Sequence, residues 1–225
     1  MIKVENIDVY GFEAAIRGMR NPMNSWGRSD SWCCKEYCHH VLYNTTPANY
    51  CKYSLNKFCI GENDFDLMKR LYKAGTEHRK YLRMIQATMD ITCHHTWWAE
   101  FDTYKIGTVR NSCSKMHKIH VKEFVKEDFS TEGIDVCGGR TYEVFDIVLK
   151  ELERLRNLFN ETHEKKYWRA IIELLPMGYN IRATVQLSYE TVFNMIRQRK
   201  HHKLDEWIEF VKVLKDLPYI KELME

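Results

Sequence analysis

Between Thr141 and His163 the apolar side chains Val144, Phe145, Val148, Leu149, Leu152, Leu155 and Phe159 recur at intervals of three and four. That period places them on one face of an α-helix of about six turns. A helix of that length with a single apolar stripe has to be covered by other elements. The flanking sequence supplies them. Lys165 to Leu175 reads as a second helix, stopped by Pro176. Tyr189 to Arg199 and Lys203 to Leu217 read as two more, the last ending before Pro218. Upstream, Phe65, Leu67, Met68, Leu71 and Tyr72 mark a helix that Asn63 or Asp64 would cap and Gly75 would end. Thr96 to Tyr104 reads as a short Trp-rich helix.

Strands are fewer. Apolar residues at 85, 87, 89 and 91 alternate with polar ones, the pattern of a half-buried strand. Ile181 to Leu187 reads as a second strand. With only 4 Pro and 10 Gly, a chain of many tight β-turns is excluded. The expected class is α/β (α+β): a small mixed sheet flanked by helices, in a single helix-rich domain over residues 1–225. The stretch from about 29 to 60 lacks a clean period and holds five of the eight cysteines, so it reads as an insertion.

Charge narrows the function classes. The 34 Lys and Arg nearly balance the 31 Asp and Glu, a net of +3, which gives no strong nucleic-acid signal. Charges interrupt every apolar run before the roughly 20 residues a membrane span requires. The first residues, Met1 to Asn6, do not read as a secretory signal. The cysteines are therefore expected as reduced thiols in the cytoplasm of a bacterial or phage-infected cell.

Four groups of residues could carry chemistry. Cys33, Cys34, Cys38, His39, His40, Cys51 and Cys59 are zinc-ligand types, with Cys34, Cys38, Cys51 and Cys59 as candidate ligands. Their spacing also suits plain thiols in a loop. Cys93, beside His94 and His95, could be a nucleophile or a small apolar residue ending a strand. The polar run from Asp102 to His117 is dense in hydroxyls, amides and cations, able to wrap a phosphate or a heteroaromatic ring or simply to be a solvated loop. Asn194, Arg197 and Gln198 share a helix face, and Arg199 to Lys203 is a basic cluster that would complement a helix dipole or bind phosphate.

Leu175-Pro176, followed by a hydroxyl-bearing strand, Asn194-x-x-x-x-Arg199 and a helix with Glu206 and Trp207, resembles the flavin-dependent thymidylate synthases. Ala15 to Arg20 resembles that family's early Ala-x-Arg-x-x-Arg helix, and Leu67 to Gly75 its Leu-x-x-x-Gly helix end. Asn111-x-x-Ser114 stands where its signature Arg-His-Arg-x-x-Ser-x-Asn-Glu-x-Ser-x-Arg belongs. The Arg-His-Arg triplet falls on Thr103-Tyr104-Lys105 or Tyr104-Lys105-Ile106, and its final Arg on Met116, with Lys115 and His117 beside it. The resemblance implies a homotetramer that binds FAD and transfers a one-carbon unit from methylenetetrahydrofolate to C5 of dUMP or a related pyrimidine nucleotide, with NADPH as reductant. It implies catalytic roles for Arg199 and Ser114. Asn194, Lys105, Thr108 and Tyr104 would bind the cofactor. Arg199, Asn111, Ser114 and Lys115 would bind the nucleotide. Arg17 and Arg20 would meet a phosphate or an interface. The altered triplet leaves a second reading: a nucleotide- or protein-binding module on the same scaffold, without catalysis.

Overall fold

The computed structural model describes residues 1–33 and 58–225. Its centre is a four-stranded sheet in the order β1-β4-β6-β5, formed by Lys3–Tyr10, Gln86–His94, Asn180–Ser188 and Thr108–Ser112. Every pairing is antiparallel, where a mixed sheet was expected. The alternation from residue 85 onward already contained the reason. A strand with one wet face belongs to an antiparallel sheet, whereas parallel strands are buried on both faces.

The β4–β6 ladder runs from Gln86↔Ser188 to His94↔Asn180. Four apolar pairs face one side: Ala87↔Leu187, Met89↔Val185, Ile91↔Ala183 and Cys93↔Ile181. All eight side chains are buried. Burial of each larger side chain stabilises the fold by about 1.5–3 kcal/mol. The opposite face is polar and carries Asp90, which accepts hydrogen bonds from Thr184 Oγ1 (2.6 Å), Asn6 Nδ2 (2.8 Å) and Arg182 Nη2 (2.9 Å).

Helices cover the apolar face. They are α1 (Phe12–Arg20), α2 (Glu62–Lys73), α3 (His95–Phe101), α8 (Tyr189–Arg199), α9 (Asp205–Lys215) and α10 (Ile220–Met224). Trp97, Trp98, Phe101, Trp207 and Phe210 interlock there edge to face and by stacking. A second apolar cluster lies between α6 (Gly139–Thr162) and α7 (Lys165–Leu174), built on Phe145, Leu152, Leu155 and Ile171. Short helices α4 (Lys115–Lys118) and α5 (Glu132–Cys137) lead into it. No helix among the described residues is long and apolar enough to cross a membrane.

The cap of α2 differs from expectation. Asn63 and Asp64 lie inside the helix, and their backbone N–H groups donate to the Asp30 carboxylate at 2.9 and 3.1 Å. Asp64 instead forms a buried ion pair with Arg20, at 2.5 Å. Ser29 and Ser31 hydroxyls donate to its other oxygen, each at 2.6 Å. Arg20 is thereby committed to α2 rather than to a phosphate, and Arg17 is paired with Glu13 on the surface. The two-residue pair of β2 (Trp32–Cys33) and β3 (Phe58–Cys59) follows directly.

Burial works to raise the Asp64 carboxyl, but hydrogen bonds from Ser29, Ser31 and Arg20, with the Arg20 charge, outweigh it and hold the group below its ordinary value. A depressed folded-state value contributes stability above the unfolded-state value that is lost as pH falls through the folded one. Asp64→Ala should therefore cost about 3–5 kcal/mol at pH 7, because it strands a buried guanidinium. Denaturant titration of both proteins at pH 7 and at pH 3 should show the gap narrowing in acid.

Candidate functional site

Two depressions take up some of the expected site residues: Tyr104, Lys105 and Asn194 line one, and Lys115 lines the other. The first, of about 350 Å³, is lined by Tyr104, Lys105, Ile106, Thr191, Asn194 and Gln198, with Thr103 at its rim. Its floor is α8, where residues four apart share a face. Its other wall is the turn after α3. Gly107 closes that turn at φ +73°, and a Cβ there would lie 2.6 Å from both Ser188 Oγ and Thr191 Oγ1. Thr191 Oγ1 donates to the Ile106 carbonyl at 3.0 Å, fixing the turn onto the helix.

Arg199 is not among the residues lining this cleft but bonds to Tyr104, which is, and its side chain is only 17% exposed. Its Nη1 lies 2.8 Å from Glu100 Oε2, and its Nε donates to Tyr104 Oη at 2.9 Å. The guanidinium lies over the rings of Trp207 and Tyr104, at 5.0 and 5.4 Å from their centroids. Charge pairing and two aromatic faces hold one rotamer. Tyr104 Oη in turn donates to Gln198 Oε1 at 2.9 Å. Asn194 Oδ1 accepts from Arg197 Nη2 at 3.2 Å. Thr108, expected beside the cofactor, lies on β5 with its hydroxyl donated to the Tyr104 carbonyl, so it braces the turn and does not line the cleft.

The second depression, of about 210 Å³, is lined by His95, Trp98, Asp102, Arg110, Cys113 and Lys115, among others. Lys115 Nζ contacts the His95 ring, and burial lowers the Lys115 ammonium below its ordinary value. Arg110 Nη1 donates to both oxygens of Asp102, at 2.9 and 2.8 Å, and its guanidinium lies over Trp98. Ser114 caps α4, accepting from the His117 N–H at 3.3 Å. Asn111 is exposed on β5, paired with Thr184, on the opposite side of the strand from Arg110. The expected union of Arg199 with Ser114 and Lys115 is not made within either depression: Lys115 lines the second, Arg199 and Ser114 line neither, and the two share no lining residue.

Glu100 is not singled out by the sequence, and its partner Arg199 lies about 100 residues away. His95 stands out there only as a neighbour of Cys93, Arg110 only within the polar run 102–117, and Gln198 only by the helix face it shares with Asn194.

The cysteine candidates fare differently. Cys34, Cys38 and Cys51, with His39 and His40, lie outside the described residues. Cys59 is buried on β3. No three His, Cys, Asp or Glu side chains gather as a metal site would require among the described residues. Cys93 is a core residue. Burial pushes its thiol up to about 12, while His94 Nδ1 accepts from the Trp97 N–H at 3.3 Å and its Nε2 lies 3.3 Å from Glu206.

Solved structures share this fold, two flavin-dependent thymidylate synthases among them. One is the flavin-dependent thymidylate synthase ThyX from Helicobacter pylori complexed with FAD and dUMP, at a TM-score of 0.64 and 15% identity, covering 97% of this chain and 96% of that one. The other is Thymidylate Synthase X (ThyX) from the same organism with FAD and dUMP, at a TM-score of 0.64 and 16% identity, covering 98% and 96%. At that identity the likeness is one of fold. No family model matches the sequence, and no curated protein does.

Only the thiolate form of a cysteine is reactive. Iodoacetamide at pH 8 followed by peptide mapping should modify the exposed Cys113 and Cys137 in the native protein and leave Cys93 unmodified until it is unfolded.

Proposed function

We propose that this chain is a flavin-dependent thymidylate synthase-like transferase that binds FAD and a pyrimidine deoxynucleotide such as dUMP. The observation that carries the reading is Arg199, immobilised between two rings and a carboxylate and bonded to the Tyr104 wall of an amide-lined cleft, on a fold shared with proteins complexed with FAD and dUMP.

The cleft fits part of such a cofactor. Its volume, about 350 Å³, lies in the range of small-molecule sites and suits one ring system. Asn194 and Gln198 offer amides to a ring edge, and exposed Lys105, with no ion pair among the described residues, offers a cation to a phosphate. Reduced flavin, when bound, supplies the electrons and carries the one-carbon unit from methylenetetrahydrofolate, with NADPH as reductant.

The chain's own residues have separable tasks in this reading. Arg199 donates to a pyrimidine carbonyl and stabilises negative charge that develops on the ring, the role of an oxyanion-type donor. Its immobilisation lowers the reorganisation needed at the moment of reaction. Tyr104 positions Arg199, and Thr108 braces the backbone of Tyr104. Lys115 binds the nucleotide from the second depression and Ser114 from the adjoining start of α4, with Asn111 ordering that strand. Assembly into a homotetramer belongs to the same reading, since the two depressions are separate within one chain.

A second reading is a nucleotide-binding protein without turnover. The observation favouring it is that Thr108 donates its hydroxyl to the Tyr104 carbonyl, inside the protein.

The purified protein should retain FAD through desalting, seen as a visible absorption band. Arg199→Ala should weaken dUMP binding by roughly 10–100-fold, the loss of one charge-assisted hydrogen bond, while flavin retention persists. Retention of FAD without turnover of dUMP in the presence of methylenetetrahydrofolate and NADPH would favour the second reading. Absence of flavin uptake would overturn the first.

A further inference from the structure

The polar groups of the first cleft have their donor and acceptor roles fixed by a chain of exclusions. A guanidinium can only donate. Arg199 Nε therefore uses Tyr104 Oη as an acceptor, at 2.9 Å. The phenol keeps one proton to place, and Gln198 Oε1 accepts it at 2.9 Å. With its oxygen engaged, Gln198 is left with its NH₂ group for any ligand. Asn194 is set the same way. Its Oδ1 accepts from Arg197 Nη2, leaving its NH₂ available. Beside the two amides the wall carries no acceptor side chain deeper than its rim. Lys105 is a donor, and the buried Thr191 Oγ1 is taken up by the Ile106 carbonyl and Ser188 Oγ, so the acceptor nearest this wall is the rim residue Thr103, whose proton lies on the Glu100 carbonyl at 2.7 Å.

We propose that Gln198, oriented by Tyr104, is a specificity-determining residue that pairs with Asn194 to read the carbonyl edge of a cyclic imide ring and to reject rings bearing an amino group there. The inference rests on the reading above that a flavin or pyrimidine ring enters this cleft. Both rings carry such carbonyls, so the chemistry is shared between two sources. Cytosine places an N–H donor where uracil places a carbonyl. Against a donor-lined wall that leaves two donors facing each other, a repulsive element that separates the two bases. Tyr104 acts as a positioning residue. Without its hydroxyl the Gln198 amide is free to turn over, and the wall offers either polarity.

The test compares the wild-type protein with Gln198→Leu and Tyr104→Phe, after circular dichroism and thermal melting show each variant folded. One arm measures FAD affinity and the reduction potential of the bound flavin. The other measures dUMP and dCMP affinities by calorimetry. In the arm whose ring occupies the cleft, Gln198→Leu should weaken binding about tenfold, and Tyr104→Phe less. If that ring is the flavin, its potential should also fall, because N–H donors favour the electron-rich reduced form. If it is the pyrimidine, the preference for dUMP over dCMP should collapse toward unity. Wild-type protein that binds both ligands, with neither potential nor base preference altered in Gln198→Leu, would overturn this inference and leave the flavin reading standing. Wild-type protein that takes up neither ligand would overturn both.

Discussion

The β4–β6 ladder is the constraint on which the rest depends. Its four apolar cross-strand pairs fix the register, because a slip of one residue would turn every one of them to solvent. The ladder also sets where two helices begin. α3 leaves β4 at His95 and α8 leaves β6 at Tyr189, at opposite ends of an antiparallel pair. The two return toward each other and meet where Glu100 pairs with Arg199. The cleft is thus a consequence of strand register, and its precision is that of the sheet.

Much of this was legible in the sequence. The period-3.6 runs placed α6, α7, α8 and α9 within a few residues of their observed bounds, because each has one apolar face against a core. The alternation at 85–91 gave β4 for the same reason. β1 was not legible. Its bulge between Glu5 and Asp8, with Asn6 at φ 52°, breaks the alternation that identifies a strand. β5 was read as loop because Thr108 to Ser112 is a polar edge strand that β6 recruits, and edge strands carry little apolar signal of their own.

The candidate site divides along the same line. Asn194, Arg199, Tyr104 and Lys105 lie around one cleft, and the first two were found through a spacing within a single helix. The contacts that give them their chemistry are not local. Tyr104 reaches Arg199 across 95 residues and Gln198 across 94. Such pairings arise only when the turn after α3 meets the last turn of α8. A composition-rich run such as 102–117 marked the right neighbourhood, but not that it is split into a brace, a strand and a helix cap facing different ways.

The neck at Asp30, Ser31 and Gly61 has a consequence for how this chain can change over evolutionary time. Asp30 caps α2, Ser31 Oγ accepts from the Gly61 N–H at 3.0 Å, and Trp32 pairs with Cys59. These contacts draw together the two points between which residues 34–57 run. The closure is made by residues on the two flanks, so α2 and the buried Arg20–Asp64 pair are anchored from both sides of 34–57, and a change on one flank, at Asp30 or at Gly61, would be felt on the other.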